Sequence, residues 1–473
     1  MGKGYKLYRI FVLIITSITI FCSIRVKKGD GYEYMALIPV IFLIMFVSFP
    51  RFNRYSKRYS GLFLLNILMF LKYVVAIFFV CSIGTYSLSS YYVVYVPTSS
   101  YHTATALIIG EMMSLFIVVE LLSDSIYRNS SNTIETDTQG FVLLHDTLNY
   151  NKVRMGPVII SFLLLSFSLI ALNPNLFFGK MLIIFSSGNQ LTETIESRNA
   201  MNLVFFAFRI IVVGIPINNC IIKYNENGKK KYIFLSYMLI GIFCILNIST
   251  SRMNIILPFL LFVLITSKTF KKTGLILNTA IGILLAVLLG IVSVYKMPYI
   301  YTNGSFFQAF LVDFAKRVQE YTANIMPTAI GLQAINEYSS ILGLHTFFID
   351  ILDSVPVISH LFNEKDTIYY IYNQYALGGS SNTQIIPMTV SSIAYFTPIF
   401  SFLLVDVCAI ILMMIEKRKN KYSDNFVNDY LSLYILFVFA SCTFSNVQMI
   451  TGRFFANYFA AYCIMYINRR IRI

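Results

Sequence analysis

Long apolar runs separated by short polar segments make up most of the chain. A helix needs about 20 apolar residues to cross a bilayer core about 30 Å thick. Reading the runs at that length predicts twelve transmembrane helices, at about 7–24, 34–49, 62–84, 104–122, 155–172, 200–222, 232–248, 253–267, 274–295, 388–415, 427–445 and 454–468. The pattern therefore predicts an all-α polytopic membrane protein.

The basic residues between these runs predict the orientation of the chain. With the N-terminus placed in the cytoplasm, 24 of the 37 Lys and Arg residues fall in cytoplasmic segments and 11 in outer ones. Because basic residues are retained on the cytoplasmic side, both termini are expected there. The net charge of +15 is then a property of the membrane topology, and we expect no nucleic-acid partner, since such proteins cluster their basic residues on one soluble face.

Composition supports the membrane class and narrows the chemistry. Hydrophobic residues make up 57% of the chain and charged residues only 12%, where about 25% charged is usual for soluble proteins. The seven cysteines show neither a CxxC motif nor zinc-ligand spacing. We expect no metal and no cofactor, and the absence of nucleotide-binding and hydrolase motifs indicates that any substrate is already in the membrane.

One long outer segment divides the chain. We expect a bundle of about nine spans over 1–295, an external lobe over 296–387, and about three more spans over 388–473. In the lobe, apolar residues recur every three or four positions from Phe307 to Ile325, which predicts an amphipathic helix over 305–326.

The rest of the lobe has two notable stretches. Residues 341–358 are apolar but include His345, Asp350 and Asp353, which favours a re-entrant or interfacial helix over a thirteenth span. A tyrosine-rich run with a polar segment follows, and it is a candidate glycan-binding surface, the alternative being an interfacial aromatic belt and a turn. Its candidate glycan contacts are Tyr369, Tyr372, Asn382 and Gln384.

Ionisable residues inside spans are costly and are candidates for function. Lys72 and Glu111 lie near mid-depth on consecutive spans, where they could form a structural ion pair. Arg209 is placed either to hold an anionic ligand or to extend toward the interface. Asp406 is expected to be structural.

Three arginines are predicted on the outer side. Arg252 and Arg453 each follow a short outer turn and open a span, and Arg317 lies on the lobe helix. Each is either an interfacial anchor or a ligand for phosphate, whose oxygens match the guanidinium fork. If the three converge, they would bind a diphosphate at the outer leaflet.

This layout resembles the Wzy-type polymerases of O-antigen and capsule repeat units. The resemblance covers the whole hydropathy layout, with one dominant outer loop before the last few spans. The short segments in which the resemblance is found are Ser249-Thr-Ser-Arg252, Phe314-Ala-Lys-Arg317, Asn382-Thr-Gln-Ile-Ile-Pro387, Ser391-Ser-Ile-Ala-Tyr395 and Thr451-Gly-Arg453.

The resemblance implies a metal-independent glycosyltransferase of the bacterial cytoplasmic (inner) membrane, with a GT-C-like polymerase or ligase architecture. It would join undecaprenyl-diphosphate-linked oligosaccharides at the outer face, among membrane lipids and with a possible chain-length regulator as partner. Arg252, Arg453 and Arg209 would bind the diphosphate, and Arg317 would assist catalysis. His345 is the first candidate for the proton acceptor, with Asp313, Glu320 and Glu337 also open.

Three alternatives remain open at this point. A flippase for lipid-linked oligosaccharides would share the spans and arginines, but usually has short loops and two similar halves. A ligase of the O-antigen type would differ only in its acceptor. An ion-coupled transporter would be expected to have broken helices in matching halves.

Overall fold

The computed structural model describes residues 3–26, 28–84, 86, 94–127, 150–153, 155–172, 200–245, 253–295, 306–356, 358–378, 384–419 and 425–470. These residues form helices and connecting turns, with no strand among them. The α-helices are α1 (Lys3–Arg25), α2 (Leu37–Ser48), α3 (Pro50–Arg58), α4 (Ser60–Phe70), α5 (Ala76–Ile83), α6 (Thr98–Tyr127), α7 (Met155–Leu172), α8 (Ala200–Asn227), α9 (Lys231–Ile245), α10 (Met253–Tyr295), α11 (Phe306–Tyr321), α12 (Ile325–Glu337), α13 (Leu344–Asp353), α14 (Ile368–Leu377), α15 (Met388–Tyr395), α16 (Leu403–Lys419), α17 (Phe426–Ala440), α18 (Val447–Gly452) and α19 (Ala460–Arg470).

Short segments of other helix types join some of these elements. Two are π-helical, Leu71–Val75 between α4 and α5, and Arg453–Phe459 between α18 and α19. Five are 3₁₀ turns, at Ser339–Ile341, Ser359–Leu361, Glu364–Asp366, Pro398–Phe400 and Ser441–Thr443. The π segments are the more informative, because π turns within α-helices are frequent at functional sites.

Several helices are long and apolar enough to cross a membrane, which supports the expected membrane class. In the part of the chain described, five meet this test: Tyr5–Arg25, Ser60–Ile83, Thr98–Tyr127, Pro398–Lys419 and Phe426–Thr443. The bent pair α2 and α3 makes a sixth if it counts as one span.

The bend between α2 and α3 differs from the single span expected at 34–49. The two helices meet at 79°, and Pro50 at the first position of α3 has no amide hydrogen to continue the helical bonds of α2. The apolar run therefore ends at Phe49, and α3 turns aside with its basic residues.

The spans expected at 253–267 and 274–295 form one element by hydrogen bonding, α10, which nevertheless reverses direction. Asn278 Oδ1 accepts a hydrogen bond from Thr266 Oγ1 at 3.0 Å, although 12 residues of straight helix would separate them by about 18 Å. A β-carbon added to Gly282 would likewise lie 3.6 Å from the Phe259 ring. The chain therefore turns back on itself between the two predicted runs, and the expected break in helical structure is wrong.

The final spans also begin differently from the prediction. Residues 388–395 form a separate buried helix, α15, so the span expected at 388–415 starts at Pro398. The outer turn expected at 448–452 is helical, as α18, and the span expected at 454–468 continues from it through the π segment. Asn446 explains this early start, since its side chain caps α18 by accepting from Met449 N at 2.8 Å.

The external lobe forms shorter helices than expected. The amphipathic helix expected over 305–326 ends at Tyr321, and the chain turns at Ala323, which has a positive φ of 48°. Residue Ile325 therefore opens a second helix, α12, whose first seven residues are all buried. At the start of α12 the Asn324 side chain donates to the Lys72 carbonyl at 2.9 Å, so α12 enters the bundle as far as the middle of the α4–α5 span.

Candidate functional site

Arg453 lies at the first position of the π segment, where the lobe meets the bundle. Its Nη1 donates to Ser445 Oγ at 3.0 Å and to Ser441 Oγ at 3.2 Å, and the side chain is half-buried. Among the described residues its hydrogen-bond partners are these two hydroxyl groups, and no carboxylate lies within ion-pair distance of it. The positive charge is therefore held in place by neutral groups, as an anion-binding cation would be.

Tyr434 on α17 brings a second arginine into the same region. Asn457, one turn after Arg453, donates to Tyr434 Oη at 2.8 Å. Arg453 and Arg209 both lie near enough to this tyrosine to act on it electrostatically. Arg209 is 4% exposed, its Nε donates to the Phe243 carbonyl at 2.8 Å, and its guanidinium carbon lies 4.2 Å from the centre of the Phe243 ring. We call Arg209, Tyr434, Arg453 and Asn457 the arginine cluster.

The packing of three helices explains how these side chains meet. The π segment packs against α8 and α17, and α8 packs against α17. A π turn has more residues per turn than an α-helix and so shifts the side chains that follow it. The described partners of Arg453 are neutral, so a bound anion would stabilise its charge inside the apolar bundle.

The other intramembrane cation, Lys72, is neutralised within the protein. Its Nζ lies 2.8 Å from Glu111 Oε1 and donates to the Thr443 carbonyl at 2.8 Å. The same Glu111 oxygen accepts from Tyr73 Oη at 2.6 Å. Both members of the pair are almost fully buried, which confirms the expected structural ion pair. Asp406 accepts from Ser114 Oγ at 2.5 Å, on the neighbouring face of α6.

Helix α13 of the lobe is polar on its inner face and apolar on its outer face. Thr346, Asp350 and Asp353 are buried, while Leu344 and Phe348 are 52% and 53% exposed. A helix in water has the opposite arrangement. The apolar outer face suits contact with lipid at an interface, in agreement with the interfacial helix expected for 341–358, although the helix itself covers only 344–353.

Asp353 at the end of α13 and the adjacent Ser354 connect the lobe to the helix before Arg453. Asp353 Oδ2 accepts from Gln448 Nε2 at 2.7 Å, and Ser354 Oγ donates to Thr451 Oγ1 at 2.6 Å. Both contacts are made to α18, which leads directly into Arg453. The lobe therefore places an acidic side chain next to the short helix that positions this cation.

Asp350 is held by a separate set of partners. Its Oδ1 accepts from the Ile368 amide at 3.2 Å, and its Oδ2 accepts from the Tyr395 hydroxyl. Burial, and to a lesser extent the neighbouring Asp353 carboxylate, raise the pKa of Asp350 to about 8, although the hydrogen bonds from Tyr395 and the Ile368 amide favour the charged form. At neutral pH this carboxyl group is therefore largely protonated and joins α13 to α14 and α15.

The structure gives the predicted catalytic residues different surroundings. His345 is exposed near the start of α13, and its Nε2 lies 3.4 Å from Thr346 Oγ1. Arg317 is half-buried and Glu320 is buried on α11, which packs against α5 and α12. The residues expected to act together on the diphosphate are thus divided, with Arg453 and Arg209 in the arginine cluster and Arg317 on α11.

Three of the predicted glycan contacts lie in the described part of the chain, and one of them, Tyr372, is fully buried. The Tyr372 hydroxyl lies 3.4 Å from the Pro327 carbonyl, and Tyr369 is half-buried on α14. The Gln384 backbone is clamped by Asn373, which donates to its carbonyl at 3.0 Å and accepts from its amide at 2.8 Å. Tyr372 was therefore wrongly expected at a surface. Arg252 and Asn382 lie outside the described residues.

Sequence reasoning missed Tyr434 and Asn457, and it treated Asp350 and Asp353 as interruptions of an apolar stretch. The signal for the two aspartates was available, because they are three residues apart and so share one face of a helix. For Tyr434 there was none, since a tyrosine in an apolar run is common. Comparison with protein-family models, with curated proteins and with solved structures found no match.

Proposed function

We propose that this protein is a membrane glycosyltransferase that polymerises lipid-diphosphate-linked oligosaccharide repeat units at the outer face of a bacterial cytoplasmic membrane. The proposal includes about twelve spans, a GT-C-like arrangement, and undecaprenyl diphosphate as the carrier. The observation that carries it is the arginine cluster, in which Arg453 is held by the Ser441 and Ser445 hydroxyl groups near Tyr434 and directly follows α18, on which the lobe packs.

The reaction requires a stabilised leaving group and a proton acceptor. The acceptor hydroxyl oxygen bonds to the anomeric carbon of the donor, and the bond from that carbon to the diphosphate oxygen breaks with its electron pair. Charge accumulates on the diphosphate, and fixed guanidinium groups in a dry environment stabilise such charge. Arg453, whose described partners are hydroxyl groups, is the main candidate for this role, and Arg209 is the second.

The proton of the acceptor hydroxyl needs a base on the lobe side. Asp353 suits this role better than His345, since it is the carboxylate on the inner face of α13 next to α18. Asp350 is the weaker candidate, because burial raises its pKa to about 8 and it is largely protonated at neutral pH.

The test is deletion of the gene in its native host, followed by separation of the surface glycan by size. We expect the ladder to be lost while single repeat units remain at the surface. Loss of all surface glycan, with lipid-linked repeats held on the cytoplasmic side, would instead indicate a flippase. Retained long chains on the carrier lipid that never reach their final acceptor would indicate a ligase.

Complementation with point variants then connects the activity to the cluster. Arg453→Gln should reduce polymerisation by about 100-fold or more, the usual effect of removing one preorganised donor. Arg25→Gln is the matched control, because Arg25 is an exposed arginine at the end of α1, in contact with the ring of its own helix neighbour Phe21. A full ladder in the Arg453 variant would refute the assignment.

A further inference from the structure

Four aromatic rings form a continuous row on the helix that follows Arg453. Phe454, Tyr458, Tyr462 and Tyr466 are spaced every four residues, and their consecutive ring centres lie 5.5, 5.3 and 6.1 Å apart. The angles between successive ring planes are 32°, 18° and 28°. Twelve residues of helix rise about 18 Å, so the row covers more than half of a bilayer core about 30 Å thick. We call these four residues the aromatic track.

The track has a cation at each end and an open side. Arg453 precedes its first ring, and the guanidinium of Arg470 lies 5.3 Å from the centre of the Tyr466 ring. Tyr462 and Tyr466 are 36% and 43% exposed. The track therefore lies on a face of the helix that is exposed at Tyr462 and Tyr466. Arg453 and Asn457 lie on the neighbouring face, which is directed toward the protein interior.

Burial alone does not explain this arrangement. Inside a bilayer, side chains gain little from leaving lipid, because lipid tails are as apolar as leucine, and binding there depends on close packing and on polar contacts. A row of nearly parallel rings presents one flat strip, which gives many dispersion contacts to a flat, unsaturated chain. At its upper end Arg453 supplies the positive charge for an anionic head.

We propose that the aromatic track binds the isoprenoid chain of a polyprenyl diphosphate whose head group lies at Arg453. This inference rests on the proposed function, since it assigns the place of the carrier lipid that the reaction releases. It commits to a single-chain isoprenoid with a diphosphate head, because one strip of rings matches one chain, and Arg453 lies at the end of the strip next to the lobe.

The experiment measures binding of undecaprenyl, farnesyl and dimethylallyl diphosphates to the full-length protein in nanodiscs by native mass spectrometry. The test variant carries Tyr458→Leu, Tyr462→Leu and Tyr466→Leu together. A second variant, which keeps the aromatic rings, carries Phe at the same three positions. Phe11→Leu is the control, since Phe11 is 53% exposed on α1. Retention on size-exclusion chromatography establishes that each variant is folded.

We expect affinity to rise with chain length, and the leucine variant to bind undecaprenyl diphosphate about 10-fold more weakly with dimethylallyl diphosphate unchanged. The phenylalanine and Phe11 variants should bind like the wild type. The proposal is overturned if the leucine variant keeps the full chain-length dependence, if dioleoyl phosphatidate competes equally, or if no polyprenyl diphosphate binds. Track-dependent binding in a protein whose deletion leaves the glycan ladder intact would support the track and refute only the polymerase function.

Discussion

The buried pair Lys72–Glu111 provides a test of what holds the middle of the bundle together. The perturbations are Lys72→Met, Glu111→Leu and the double variant. Each removes one charge or both from a site in which the two side chains are about 1% exposed and 2.8 Å apart. Their partners also matter, because Lys72 donates to the Thr443 carbonyl and Glu111 accepts from Tyr73.

The expected magnitudes follow from the geometry. At 2.8 Å and an effective dielectric constant of about 20, the attraction is about 6 kcal/mol, and it is largely offset by the several kcal/mol needed to take each ion out of water. Either single variant leaves one buried ion without its partner, which typically costs about 3–5 kcal/mol. The double variant has no buried ion and should be more stable than either single variant.

The assay uses the chain's own chemistry. The protein has no tryptophan, but Cys81, Cys408 and Cys442 are 1%, 8% and 0% exposed, so a thiol-reactive dye reports thermal unfolding in detergent. Lys6→Met, at an exposed position on α1, is the control and should leave the unfolding midpoint unchanged. If the losses of the two single variants simply add in the double variant, the coupling inferred here does not exist.

Three further outcomes are expected. Gly274→Ala should lower the unfolding midpoint, because the added β-carbon would lie 2.9 Å from the Thr266 carbonyl oxygen where α10 reverses direction. Gly241→Ala is the control and should leave the midpoint unchanged, because no atom lies within 4 Å of its added β-carbon. Equal effects of the two substitutions would refute the close approach at Gly274. Asp350 has a pKa raised from 3.8 to about 8 by burial, so its contribution to stability is full below pH about 4 and is lost as the pH rises through about 8. Asp350→Asn should therefore flatten the fall in midpoint between pH 5 and 9, and an unchanged slope would contradict the assignment. His345→Ala should retain the glycan ladder, as its exposed position on α13 predicts, and loss of the ladder would restore it as a candidate base.

Much of the membrane architecture could be predicted because lipid imposes a length on each apolar run. The runs at 7–24, 62–84, 104–122 and 427–445 each correspond to a helix that meets the criterion for a span. What the pattern could not give was where a run divides. The separation of α15 from the following span and the helical start of α18 depend on a proline at 398 and on the Asn446 cap, which are single-residue effects.

The candidate site was only partly predictable, for a different reason. An arginine inside an apolar run is conspicuous, so Arg209 and Arg453 could be identified from the sequence. Their common neighbour Tyr434 could not, because a helix-to-helix contact depends on the angle and register at which α8, α17 and the π segment pack. The inner carboxylates of α13 show the same limit, since burial of a polar face is visible only once its partner α18 is in place.

The reversed polarity of α13 also constrains how the protein is made. Asp353 and its partner Gln448 are 95 positions apart in the sequence, and Ser354 and its partner Thr451 are 97 positions apart. While the ribosome is still synthesising residues 354–447, α13 has lipid available for its outer face but no partner for its inner one. The lobe is thus completed late, only once α18 has been made, and a chain that stops before α18 should be recognised and degraded by membrane quality control.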